Sequence, residues 1–233
     1  ESDPILDAQM IQVAFRTVQC LGIKSVQIQV NSIGCPVCRK EYKDLLVNYI
    51  DSKKQKLCQD CKSRLEINPL RILDCKEDKC FQVSSAAPQS VDHLCDECRI
   101  HFKTLLEYLD ELAIPYVLRP TLVRGLDYYT RTVFEIYPIT GQGAAQSALG
   151  GGGRYDLLVE QMGGKPTPAA GFSLGLERSV AYLKQCCEQG ACSVPVVRPD
   201  VFVAQLGEQA CRRALKIVND LRNSGVKIDF NFS

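Results

Sequence analysis

Hydrophobic and polar positions follow two alternating periods along this chain. Ile11, Ala14, Phe15, Val18 and Leu21 recur at helical spacing. They follow Asp3-Pro4, a capping acid and a proline suited to the first helical position, and Gly22 closes the segment. "SVQIQV" (25–30) then alternates as a half-buried strand should. From Cys35 to about Cys98 the alternation is lost. This stretch is rich in cysteine and charge, and predicts short helices joined by cysteine-bearing turns. The helical period returns in "DECRIHFKTLLEYLDEL" (96–112), where Phe102, Leu105, Leu106, Leu109 and Leu112 form one stripe. After Pro115 strands resume. "PYVLRP" leads into "LVRGLDYYTRTVFEIY" (122–137), in which Val133, Phe134, Ile136 and Tyr137 supply the two faces of a strand. "PITGQG" predicts a turn. "SALGGGGRYDLLVEQMGG" predicts a short strand, four glycines and a helix. "KPTPAAGFSLGLERSVAYLKQCC" predicts a proline-rich loop, a strand and a long helix. Past "CSVPVVRPD", which carries linker signals, "DVFVAQ", a helix over about 208–223 and "VKIDF" predict a β-α-β unit. One such unit leaves its strand edges unpaired, so a domain cut short is expected there.

Composition narrows the class. The chain has 233 residues, 45% of them hydrophobic, enough for a sizeable core. A net charge of +1 gives no bulk attraction to nucleic acid and says nothing against a local basic patch. No apolar run approaches the roughly 20 residues of a membrane span, and the acidic start lacks a signal-peptide pattern. It also lacks an initiator methionine, so an N-terminal portion is expected to be missing. Thirteen cysteines without an export signal fit reduced thiols better than a disulfide scaffold, and a cytoplasmic protein is expected, with no membrane partner.

Four stretches carry candidate chemistry. In "LVRGLDYY" the Arg124 fork suits a carboxylate or phosphate, Gly125 permits a sharp turn or close ligand approach, and Asp127 is placed to orient the arginine. A surface arginine beside a turn remains the plain alternative. If the stretch is extended, Tyr128 and Tyr129 point to opposite faces, and at most one meets a given pocket. "GGGGRYD" (150–156) offers either backbone amides for an anion or flat ring, or a tight strand crossing. "GFSLGLER" (171–178) sets Arg178 in the first turn of a helix, against the dipole, which suits a phosphate contact or a solvated Glu177-Arg178 pair.

The fourth is the cysteine set. Spacing groups Cys35, Cys38, Cys58 and Cys61 as one candidate zinc site. Cys75, Cys80, Cys95 and Cys98 form a weaker second, because its first pair is more widely spaced. Buried free thiols are the alternative, and redox chemistry fits less well. Cys20, Cys186, Cys187, Cys192 and Cys211 have no partner spacing and read as structural. His93 and His101 read as surface or satisfied histidines rather than ligands.

"LVRGLDYYTRTVFE", "GGGRYDLLVEQMGGKPTPAAGFSLGLER" and "NPLRILDC" together resemble histidyl-tRNA synthetase of the bacterial type, in the family's order and along essentially the whole chain. The resemblance implies an α+β fold with a class II synthetase-like antiparallel sheet and helices, and ATP-dependent charging of tRNA(His) with L-histidine through histidyl-adenylate. It implies that Arg124 meets the histidine carboxylate and the α-phosphate, as the catalytic arginine. Tyr128, Tyr129, Gly152 and Tyr155 would line the histidine pocket. Gly175 and Arg178, with Arg124, would meet ATP, with Mg²⁺ as companion, in a homodimer.

On that resemblance, 1–34 and 112–192 are catalytic core. Residues 35–111 are a helical cysteine-rich insertion, 193–199 a linker, and 200–233 the start of an anticodon-binding domain. The family's motifs 1 and 2 are not found, so a fragment inactive by itself is expected. Zinc rests on spacing alone. Two other readings stand beside the enzyme: a non-catalytic histidine-sensing paralogue (the regulatory subunit of ATP phosphoribosyltransferase), and a zinc-stabilised RNA-binding fragment.

Overall fold

The computed structural model describes residues 1–139, 148–188 and 198–231. The turn expected at "PITGQG" and the linker expected at 193–199 fall largely outside these, and Cys192 entirely so. The chain divides into two compact units, Glu1–Gln189 and Gly190–Ser233.

The first unit opens with α1 (Pro4–Cys20), capped by the Asp3 carboxylate on the Ile5 amide at 2.8 Å. β1 (Val26–Ser32) follows. The cysteine-rich segment folds as α2 (Pro36–Asp51), α3 (Gln59–Ile67) and α4 (Asp78–Ser85), joined by short 3₁₀ turns. Then come α5 (Asp96–Glu111), β2 (Tyr116–Leu118), β3 (Thr130–Pro138), β4 (Gly150–Arg154), α6 (Leu158–Gln161), β5 (Ala170–Leu174) and α7 (Leu176–Glu188). The sheet order is β2-β1-β3-β4-β5, antiparallel except for the β1–β2 pair.

The strand period of two gives this sheet two unlike faces. Val26, Ile28 and Val30 of β1, with Phe134 and Ile136 of β3, pack with Ile11, Ala14 and Val18 of α1 and Phe102, Leu105 and Leu109 of α5. Each large side chain so buried contributes about 1.5–3 kcal/mol. The register places Gln27 opposite Tyr137, Gln29 opposite Glu135 and Gly151 opposite Ser173 on the other face, which is polar. Above it lies a second core. Tyr42, Leu46 and Ile50 of α2, Leu65 of α3 and Val83 of α4 pack with Leu122, Val123, Tyr129 and Val133. The cysteine-rich segment therefore shares one hydrophobic cluster with the Arg124 region.

A buried polar knot ties the elements together. The Asp7 carboxylate accepts from Arg154 Nη2 at 2.6 Å, Thr132 Oγ1 at 2.6 Å and His101 Nε2 at 2.7 Å. Arg154 and Asp7 are both 0% exposed. His101 is thus the satisfied histidine expected, while His93 is exposed and its ring stacks on Tyr42.

The second unit is a two-stranded parallel sheet, β6 (Val201–Val203) with β7 (Ile228–Phe230), joined through α8 (Glu208–Asn223), as the pattern predicted. Among the described residues no helix is long and apolar enough to cross a membrane.

Candidate active site and two thiol clusters

Asn31, at the end of β1, fixes the approach to Arg124. Its side-chain amide donates to the carbonyls of Pro120 at 3.1 Å and Leu122 at 2.9 Å. The chain then turns through residues 125–128 instead of running extended. This corrects the expectation that Tyr128 and Tyr129 face opposite ways. Their ring centroids lie 4.8 Å apart, and both meet Tyr155 edge-on, at 5.7 and 6.2 Å. A turn abolishes the alternation on which the expectation rested.

Arg124 pairs with Glu135, in mid-β3 on the polar face, and each side chain is about one-fifth exposed. Glu135 also accepts from the Tyr137 hydroxyl at 2.6 Å. Burial, reinforced by Glu135, pushes the Tyr137 phenol above its ordinary range. The Arg124 guanidinium stands 5.8 Å from the Tyr129 ring centroid, within cation–π reach. Asp127 was expected to orient Arg124, but it accepts from Asn68, and Glu135 holds the arginine instead. The available signal for Glu135 was a carboxylate inside the otherwise apolar run 133–137. The Asn68–Asp127 bond also joins "NPLRILDC" to the Arg124 turn, two stretches 59 positions apart.

The four glycines are not a loop. They form most of β4, paired to β3 on one side and β5 on the other, so the ladders on both sides engage their backbone groups. The amide cradle considered from sequence is therefore corrected. What the glycines supply is the absence of Cβ. A Cβ on Gly151 would stand 2.8 Å from the Arg124 guanidinium and 2.6 Å from the Phe134 carbonyl. One on Gly153 would stand 2.3 Å from the Thr132 carbonyl and 3.0 Å from the Tyr129 ring. Gly152 opens toward Phe172 on the helix-packed face, away from Arg124. Gly153→Ala is expected to destabilise the fold by about 1–3 kcal/mol, because backbone and not a flexible side chain blocks the methyl. Chemical denaturation checks this, and an unchanged midpoint would contradict the close approach.

Arg178 lies in the first turn of α7, as read from sequence. It is exposed, packs beside Gly175 and donates to the Ala148 carbonyl at 3.1 Å.

The cysteines regroup. Cys35, Cys38, Cys95 and Cys98 form one cluster and Cys58, Cys61, Cys75 and Cys80 the other, all sulfurs within each lying within 4.8 Å of one another. The grouping expected from spacing, Cys35/Cys38 with Cys58/Cys61 and Cys75/Cys80 with Cys95/Cys98, is corrected. Cys35, Cys58 and Cys95 are the N-caps of α2, α3 and α5, and Cys38, Cys61 and Cys98 follow three residues later in the first turn. Cap and third helical position lie on one side of a helix start, which is why the two-residue spacer works. The α2 and α5 starts meet, and the α3 start meets Cys75 and Cys80. Burial opposes ionisation of Cys35, but hydrogen bonds from the Cys38 and Val37 amides and the Cys38 thiol outweigh it and bring the thiol to about 7. Cys20 and Cys211 are exposed and stand outside both clusters.

A largely antiparallel sheet, with α1 and α5 on one face and an arginine-bearing polar surface on the other, is the architecture of a class II synthetase core. The family model described as histidyl-tRNA synthetase matches residues 1–178. The chain is 47% identical to "Histidine--tRNA ligase" of Dehalococcoides mccartyi over 98% of its own length and 53% of that protein's. It is also similar to the crystal structure of apo S. aureus histidyl-tRNA synthetase, with TM-score 0.68 and 34% identity, covering 100% of this chain and 56% of that one. The chain belongs to the histidyl-tRNA synthetase family and spans about half the length of the curated relatives it matches. A structure described as an ATP phosphoribosyltransferase regulatory subunit/histidyl-tRNA synthetase from Bacillus halodurans C shares the fold at TM-score 0.54 and 17% identity, covering 99% of this chain and 60% of that one. Fold alone therefore does not separate enzyme from regulator.

Proposed function

We propose that this chain carries the histidine-recognition part of a histidine–tRNA ligase. The carboxylate of L-histidine attacks the α-phosphorus of ATP and pyrophosphate leaves. A terminal hydroxyl of tRNA(His) then attacks the adenylate carbonyl and AMP leaves. The observation that carries this reading is Arg124, held by Glu135 above a glycine strand and beside three packed tyrosines. Its guanidinium attracts the substrate carboxylate and the charge that grows at the α-phosphate. Tyr128, Tyr129 and Tyr155 form a wall for the imidazole. Arg178, exposed in the first turn of α7, and Gly175 just before that helix serve the nucleotide phosphates.

Mg²⁺ prefers oxygen donors, whereas the clusters of candidate ligands among the described residues are thiols. These thiols do not fit a resident Mg²⁺ site, and the phosphates of ATP would themselves supply the oxygen donors for the ion. Residues 1–34 and 112–192 are assigned to the catalytic core, 35–111 to an insertion that approaches the tRNA acceptor stem, and 200–233 to the start of an anticodon-binding domain. The working protein is a cytoplasmic homodimer of the longer chain, and these 233 residues alone do not aminoacylate.

The test is histidine-dependent ATP–pyrophosphate exchange by the full-length protein. Exchange specific to histidine is expected. Tight histidine binding without exchange would instead identify a histidine-sensing regulator.

A further inference from the structure

Eight cysteines of residues 35–98 take no part in the proposed reaction, yet they converge in two fours. Four thiolates around a tetrahedral zinc, each at about 2.3 Å, stand about 3.8 Å apart. The sulfurs here stand 3.6 Å apart for Cys35–Cys38, 3.9 Å for Cys35–Cys95 and 3.9 Å for Cys58–Cys75. Two disulfides would draw sulfurs together in pairs and give no reason for four to gather. The Cys58 amide donates to Cys80 sulfur at 3.2 Å and the Cys61 amide to Cys58 sulfur at 3.4 Å, contacts that stabilise thiolates. Cys38, Cys61, Cys80 and Cys98 are nearly sealed from solvent, and soft donors in this arrangement select zinc over harder ions.

The clusters occupy different places. Cys58 and Cys75 are 17 positions apart, so that cluster is internal to the cysteine-rich segment. Cys35 and Cys95 are 60 positions apart, so the other closes the two ends of the segment, where it follows β1 and where it enters α5. Arg39, directly after Cys38, donates to the Tyr129 carbonyl at 2.6 Å. The outer cluster is thus one residue from a contact that holds the tyrosine corner.

We propose that each cluster is a structural tetrathiolate zinc site, and that the outer ion (Cys35, Cys38, Cys95, Cys98) sets Arg39 against Tyr129 and so positions the histidine-pocket wall. The positioning role rests on the function proposed above, whereas the zinc sites do not.

The full-length protein, from zinc-supplemented cells, is expected to retain two zinc ions per chain through dialysis against EDTA, measured by plasma mass spectrometry. C38S/C98S removes two ligands of one site and is expected to retain one ion. C61S/C80S is expected to do the same. C38S/C61S removes one ligand from each site and is expected to retain none. The reverse result for C38S/C98S and C38S/C61S would establish the other grouping and overturn the proposal. So would iron in place of zinc, or a metal-free wild type. Cobalt(II) exchange into the wild-type protein needs no variant to fold: intense ligand-field bands of tetrahedral thiolate are expected, and weak octahedral bands would refute both sites. Histidine affinity by calorimetry should fall on the order of 10-fold or more in C38S/C98S and hold in C61S/C80S. Unchanged affinity in zinc-depleted C38S/C98S would end the positioning role. Absence of histidine binding in the wild type would count against the proposed function and leave the metal counts standing.

Discussion

Arg124→Ala in the full-length protein is expected to lower histidine-dependent ATP–pyrophosphate exchange about 100- to 1000-fold, the usual cost of removing one preorganised group aimed at developing charge. The guanidinium is already fixed in the free protein by Glu135, with the Tyr129 ring near one side, so little reorganisation remains when the anionic substrates arrive. Loss of a purely structural pair would look different. Glu135 would be left with Tyr137 as its hydrogen-bond donor, its charge would be less well compensated, and E135Q in the same chain would restore activity. The double variant R124A/E135Q is therefore the informative companion. Exchange that stays low while thermal stability recovers assigns Arg124 to the substrates. Exchange that recovers with stability would make it a partner of Glu135 and no more.

Asp7→Ala is expected to cost about 3–5 kcal/mol of stability, because it strands a buried arginine. Arg154 keeps a 3.0 Å ion pair with Asp156, but that carboxylate is partly exposed and compensates the charge less completely. A loss below about 1 kcal/mol in chemical denaturation would show that Asp156 suffices. The pH dependence gives an independent check. Burial alone would raise the Asp7 pKa, but hydrogen bonds from His101, Arg154 and Thr132 outweigh it and hold the carboxyl below its ordinary value. A depressed folded-state pKa contributes stability that is fully present above about pH 4 and is lost as pH falls through the folded value. The wild type should lose stability on that acid side, and Asp7→Asn should lose less. Parallel acid curves would remove Asp7 as the cause.

Asp7 also shows where sequence reading falls short. It sits on the same stripe as Ile11, Ala14 and Val18, an acid where the pattern calls for an apolar side chain, and that misfit was the only local sign of the knot. Its partners come from β3, β4 and α5, and no local rule brings them together. Glu135 is a similar case. The strand was legible from its alternation, but which face would meet Arg124 depended on how β1, β3 and β4 pair.

Glycines 150–153 were visible as a special run, and the choice between anion cradle and strand was not. A chain without side chains serves either, and only the flanking β3 and β5 settled that their backbone groups lie in ladders. The helix at Pro4–Cys20, the one at Asp96–Glu111 and the closing β-α-β were determined by the sequence itself, because caps, stripes and glycine stops act within a few residues. The cysteine pairs divide the same way. Each CxxC follows from a cap and the third helical position beyond it, within one turn. Which pair joins which depends on the helix starts that packing brings face to face, and sulfurs 60 positions apart can meet only once the chain has folded.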